Sequence, residues 1–270
     1  MDAQLARHLR VQIRTVGKQG ETEMSAFVEK SKRFIVWGLE RVFGRKPVSR
    51  REVQPAQIHR ILIVSGHRGL GDVLLATPVL RAVRQDFPNA YIAMAVGASY
   101  SEALQGNIYL NWVIPVYENW RSWSLSRISM FIKQVRGKYD LAIVLAVAAH
   151  SLSADLIAAA SRARYILGPE NMILPGATEC FFYNLRAPFS GKKKHLTERN
   201  LEIVRHLDMR TDDLAEVITL SKDERDWARD FLLENGLRSS DAIAGIHITA
   251  DDFAKQWELR KFMQVAKYLA

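Results

Sequence analysis

The residues best able to do chemistry stand together beside the first apolar run. Ser65-Gly66-His67-Arg68-Gly69-Leu70-Gly71-Asp72 follows directly on Ile61-Leu62-Ile63-Val64 and precedes a helical pattern. Glycines in a strand-to-helix turn let backbone and ligand approach closely, and in open α/β sheets the ligand crevice lies at the carboxyl ends of the strands. Asp72 then has two readings. A carboxylate at the mouth of a crevice can act as a general base. An aspartate that opens a helix is also among the favoured N-caps. The spacing is not the dinucleotide fingerprint, because Leu74 stands where the third glycine belongs. It is not a P-loop, because no Lys-Ser/Thr pair follows. Lys192-Lys193-Lys194 reads as a solvated loop or as a contact for phosphate groups, and His67 and His247 read as structural.

The elements that must position these residues alternate. Short apolar strands are expected at 61–64, 91–96, 112–116, 140–147 and 165–167, and helices at 72–87, 125–135, 151–160 and 195–207. That alternation predicts a parallel sheet covered on both faces, the doubly wound arrangement. Residues 169–194, with Pro169, Pro175, Gly176, Pro188 and Gly191, read as irregular. Beyond them the pattern gives a helix over 223–235 closed by Gly236, a strand over 242–248 and a helix from Trp257 to Leu269. Ahead of the sheet, Phe27, Phe34, Ile35, Leu39, Val42 and Phe43 recur at helical spacing among Lys30, Lys32, Arg33, Arg41 and Arg45. This is a basic amphipathic helix that ends near Gly44 and Pro47. Such a helix lies on an anionic membrane or packs its apolar stripe on the body of the protein. The expected organisation is an arm over 1–57, a Rossmann-like domain over 58–214 and the start of a second domain over 215–270.

The ordered series Arg60-Ile-Leu-Ile-Val, Gly69-Leu-Gly71-Asp72, Thr77-Pro78 and Arg81-Ala82 resembles the opening of glycosyltransferase family 9, the ADP-heptose:lipopolysaccharide heptosyltransferase family. The likeness continues through Phe87-Pro88-Asn89-Ala90, Gly106-Asn107-x-Tyr109, Lys138-Tyr139-Asp140-Leu141, His195-Leu-Thr-Glu198-Arg199-Asn200-Leu201 and Lys255-x-Trp257-x-x-x-x-Phe262. The resemblance implies a GT-B-like α/β fold, with an acceptor domain first and a nucleotide-sugar domain second. It implies an inverting transfer of heptose, or a related sugar, from a nucleotide-sugar donor to a lipopolysaccharide core or similar glycolipid acceptor. Asp72 would be the catalytic base, with Gly69 and Gly71 close to substrate, and Thr249 and Lys255 would contact donor phosphate. The chain departs from the family at His247-Ile248-Thr249, where His-Pro-Gly is common, and at Glu258, where a proline is common. The family's later glycine-rich nucleotide segment is not in these residues, so the chain is expected to be the first part of a longer protein and inactive alone.

Composition bounds the alternatives. The chain has 270 residues, 48% of them hydrophobic, and a net charge of +9. Residues 1–57 hold twelve Lys/Arg against six Asp/Glu, so most of the excess lies ahead of the sheet. Such a basic arm either contacts something anionic, a membrane surface or lipid phosphates with no nucleic acid expected, or is simply solvated. The single cysteine, Cys180, excludes an internal disulfide or a thiolate cluster and fits a reducing, cytoplasmic setting. The best apolar run, 141–149, falls short of the ~20 residues a spanning helix needs. No metal spacing, no Asp-x-Asp and no Gly-x-Ser-x-Gly occurs. No metal or other cofactor is expected. Two other functions compete: a non-catalytic module that binds an anionic glycolipid, and a Rossmann-type oxidoreductase, which the missing third glycine disfavours.

Overall fold

The computed structural model describes residues 33–66, 69–146, 149–188, 194–238, 240–250 and 252–270. They form two compact units that divide between Thr219 and Leu220. The first is built on six parallel strands: β1 (Arg60–Ser65), β2 (Tyr91–Gly97), β3 (Trp112–Val116), β4 (Leu141–Leu145), β5 (Tyr165–Pro169) and β6 (Leu185–Ala187). They lie in the order β3-β2-β1-β4-β5-β6. Strands at the centre of such a sheet are buried on both faces, so they read as unbroken apolar runs. Ile61 and Ile63 point into one core, Leu62 and Val64 into the other, and all four are fully buried. Each such side chain contributes about 1.5–3 kcal/mol on burial.

The two faces are covered by different helices. On the first lie α2 (Leu70–Leu74), α3 (Thr77–Asp86) and α6 (Leu196–Arg205). On the second lie a helix described over 33–43, here α1, with α4 (Leu125–Val135) and α5 (Leu152–Ala160). Val36, Leu39 and Phe43 of α1 pack among Phe181, Phe182 and their neighbours. The segment after α1 is tied down as well. The Arg45 backbone donates to Phe181 O at 3.0 Å and that of Val48 to Asn184 O at 2.7 Å, while the Arg45 guanidinium reaches Ala163 O at 2.9 Å. These bonds satisfy carbonyls just before β5 and β6 that would otherwise need another partner. Residues 33–57 belong to the first unit, with the inward stripe of α1 packed on its second core.

Three local expectations are corrected. The single helix over 72–87 is two, broken at Leu75 and Ala76, because Pro78 lacks an N–H and fits only the first turn of a new helix. The irregular stretch 169–194 contains β6, whose three residues are too few to show a period. Residues 242–248 form no strand. Ile243, Ile246 and Ile248 are exposed, and a strand needs a neighbour to pair with.

Three residues that carry the family likeness, Thr77, Arg81 and Asp140, hold this unit together. Thr77 Oγ1 donates to Leu74 O at 2.7 Å and accepts from Val217 N at 2.9 Å. Arg81, almost wholly buried, binds the Tyr109 hydroxyl at 3.0 Å, Ala215 O at 3.1 Å and Asp213 O. These bonds draw residues 213–217 into the first unit. Asp140 accepts from the backbone of His59 at 2.8 Å and Arg60 at 2.9 Å, which fixes the start of β1 beside β4.

The second unit holds α7 (Lys222–Glu234) and α8 (Leu259–Leu269). Ser221 and Glu224 form a reciprocal capping box at the start of α7. Gly236, at φ +78°, ends it, with Leu237 N bonded to Leu232 O and Gly236 N to Leu233 O. Neither helix has a buried residue.

Candidate active site

In a sheet of this order the strand progression reverses between β1 and β4, and the ligand crevice opens there at the carboxyl ends. A cleft of about 600 Å³ lies at that point. Its walls are Ser65 at the end of β1 and Gly66 after it, Gly97 at the end of β2, Val116 at the end of β3 with Tyr117 and Glu118 after it, and Ser151, which caps α5, with Ser153, Ala154 and Ile157 within that helix. That volume suits a small ligand. The strand ends meet tightly: a Cβ on Gly66 would stand 2.9 Å from Ala146 Cβ and 3.1 Å from Ser151 Cβ. Only glycine leaves β1 and α5 this close. Ser151 caps α5 through Ala154 N, and its hydroxyl lies 3.2 Å from that of Ser153. Glu118 carries its carboxylate across Gly97, with Oε1 3.2 Å from where a Cβ would be. Hydroxyls and a carboxylate around an apolar floor suit a polyhydroxylated ligand.

Asp72 lies at the third position of α2 and does not cap it. Gly69 is the N-cap and offers no side chain. The N-cap reading of Asp72 is thereby corrected. A carboxylate in a first helical turn still stabilises the helix, by about 0.3–1 kcal/mol. Asp72 is partly exposed, and its Oδ2 points back over Gly69, 3.6 Å from where a Cβ would be. Gly71 has open space around it. None of Gly69, Gly71 and Asp72 lines the described wall of the cleft. Residues 67 and 68, which join them to Ser65 and Gly66, lie outside the described residues, as His67 therefore does.

The other expected site residues are not gathered with Asp72. Lys192 and Lys193 lie outside the described residues. Lys194 is half exposed and paired with Glu202. Thr249 and Lys255 belong to the second unit and are exposed. Thr249 Oγ1 is 3.4 Å from His247 Nε2, and Lys255 ends a short turn begun by the Asp252 cap. Trp257 packs edge-on against Phe262, 5.2 Å between ring centres.

Reading the sequence missed a buried polar cluster beside the cleft. Asp155, almost wholly buried in the first turns of α5, accepts the Tyr183 hydroxyl on one oxygen. His150 Nε2 lies 2.7 Å from the other, a close contact but not an aligned hydrogen bond. Burial, then Asp155, pushes the Tyr183 hydroxyl well above its ordinary range and the Cys180 thiol up to about 11. Such a thiol is inert at neutral pH. The available signal was an aspartate inside the apolar pattern of α5. Among the described residues no three His, Cys, Asp or Glu side chains are grouped to hold a metal.

No protein-family model and no curated protein matches this sequence. Solved structures do match in fold, and the class they define is the α/β architecture of the heptosyltransferase-type glycosyltransferases. The glycosyltransferase family 9 protein of Veillonella parvula superposes with a TM-score of 0.65 at 21% identity, over 78% of this chain and 60% of that one. E. coli heptosyltransferase WaaC, solved with ADP, gives 0.54 at 21% identity over 78% and 64%. E. coli ADP-heptose lps heptosyltransferase II gives 0.55 at 19% over 77% and 60%. The chain thus spans less than two thirds of each of these structures, and at such identities the shared property is the fold.

Proposed function

We propose that this chain carries the acceptor side of an inverting glycosyltransferase that moves heptose, or a related sugar, from a nucleotide-sugar donor to a lipopolysaccharide core or similar glycolipid. The observation that carries this reading is the cleft at the β1/β4 switch point, walled by hydroxyls and Glu118, where the chain leaves β1 toward Asp72 in the first turn of the next helix. In the proposed reaction an acceptor hydroxyl attacks the anomeric carbon from the face opposite the diphosphate. The new C–O bond forms as the bond to the diphosphate breaks, which inverts that carbon. Asp72 accepts the hydroxyl proton, a contribution of about 10²–10⁴-fold for a positioned base. Lys255 supplies positive charge and Thr249 a hydroxyl for the departing diphosphate. Gly69 and Gly71 leave the acceptor room beside Asp72.

Acceptor recognition is the direct test, because it needs no donor. Calorimetric titration with a heptose-free core oligosaccharide should give saturable binding. Ser153→Trp, which fills the cleft from an exposed position, should remove it, and Asp72→Asn should leave it unchanged. An absence of binding, or binding indifferent to Ser153→Trp, would overturn the reading.

A further inference from the structure

Helix α1 has two apolar stripes. Val36, Leu39 and Phe43 pack inward. On the opposite side Phe34 is 71% exposed, Trp37 56% and Val42 73%, with Ile35 beside them. The Phe34 and Trp37 rings stack 5.8 Å apart in the open. A helix docked only on its own protein would present polar residues outward. The α4 region on the same side of the sheet repeats the pattern. Phe131 and Val135 face inward, while Leu125, Ile128 and Ile132 are exposed at helical spacing and Trp120 is exposed just before them.

Charge follows the same division. Residues 33–46 and 120–138 carry nine Lys/Arg and one Asp/Glu. The helices on the other face, over 70–86 and 196–205, carry four of each, and α3 and α6 expose no large apolar side chain. Among the described residues of these helices, apolar stripes and a surplus of positive charge coincide on the α1 and α4 side, while on the other face only Leu70 is a large exposed apolar side chain. A protein partner would be expected to answer the apolar stripes. The surplus of cations at their margins calls for a surface that is anionic at its face and apolar beneath. Exposed aromatic rings flanked by arginine are suited to that boundary.

We propose that the outward stripe of α1, with that of α4, docks this protein on an anionic phospholipid bilayer without crossing it. Among the described residues no helix is long and apolar enough to span one. Residues of α5 and of the β3–α4 connection also wall the cleft, so docking on this side holds the cleft near the lipid surface. The purpose of docking rests on the glycolipid reading above; its test does not.

The test is co-sedimentation of the whole chain with vesicles of phosphatidylcholine alone or with phosphatidylglycerol added, in the absence of donor and acceptor. Wild type should bind the anionic vesicles and not the zwitterionic ones, and binding should weaken at high salt. The double variant Phe34→Ser/Trp37→Ser changes only exposed side chains. It should keep the wild-type melting temperature and bind at least about tenfold more weakly. Arg33→Gln/Arg41→Gln should weaken binding by several-fold, about threefold per charge or more. Failure of wild type to bind anionic vesicles, or equal binding by the Phe34/Trp37 variant, would overturn the proposal. So would sedimentation of the free wild type as a dimer that this variant dissociates, because the stripe would then belong to a second copy. Vesicle binding with no acceptor binding would sink the glycosyltransferase reading and leave this one standing.

Discussion

Residues 220–270 are about as apolar as the whole chain, which is 48% hydrophobic, yet the two units use that apolar content in opposite ways. The first unit puts it into two cores that sandwich a six-stranded sheet. The described residues of the second have none buried, and Trp227, Phe231, Leu259, Met263 and Tyr268 are exposed. Local signals are nevertheless as good in the second unit, since α7 has both a capping box and a glycine stop. Caps and period decide where helices begin and end. Burial, which supplies most of the stability, needs partner elements that the sequence of one segment cannot provide.

The largest expected effect probes what that scaffold is for. Asp72→Asn should lower sugar transfer at least about 10²-fold in a protein that turns over ADP-heptose, with acceptor affinity unchanged. Its stability cost should stay below about 1 kcal/mol, since Gly69 is the cap and only a first-turn charge is lost. Transfer near the wild-type rate would make Asp72 a helix-stabilising residue and nothing more.

The next effect tests the contrast in burial directly. Ile63→Ala removes a fully buried side chain from the central strand and should destabilise the first unit by about 2–5 kcal/mol in urea unfolding. Met263→Ala removes an exposed one and should change stability by less than about 0.5 kcal/mol. Comparable losses from both would mean that α8 is buried in solution against something. Amide exchange should agree: protection in β1, β2 and β4 near the global limit, little in α7 and α8, and first protease cuts beyond Leu220.

How much could be read beforehand follows the same line. The strands β1 to β5 were legible because continuous apolar runs between turn residues have few other meanings in an alternating chain. Arg81, Thr77 and Asp140 stood out through the family likeness, but their work in this fold, tying 213–217 and the start of β1, depends on contacts across more than 70 residues. Glu118 and Ser153 were invisible for the same reason, since the rim of the cleft is set by strand order. Asp155 was hidden inside α5, where only the neighbouring Tyr183 and His150 give it meaning. The strand expected at 242–248 did not form because an apolar pattern makes a strand only beside another, and among the described residues of the second unit there is no other strand.

The smallest effect sharpens the boundary of the first unit at its other end. His206 closes α6 and lines a pocket with Arg50, Val53, Pro55 and Ile58 from the segment ahead of β1. Burial, and next the Arg50 charge, lowers its pKa below the ordinary 6.5, against weaker opposing pulls from Glu170 and Asp208. The unfolded chain therefore binds a proton at His206 more readily than the folded one. Stability from this group is complete above the unfolded value of about 6.5 and is lost as pH falls from there through the lower folded value. Urea unfolding across that window should show wild type losing stability toward acid, with a shallower slope for His206→Gln. Arg50→Gln should also flatten the slope, because it removes the second cause of the shift. An unchanged slope in Arg50→Gln, with the loss intact in His206→Gln, would mean that the segment before β1 does not hold its place against α6 in solution.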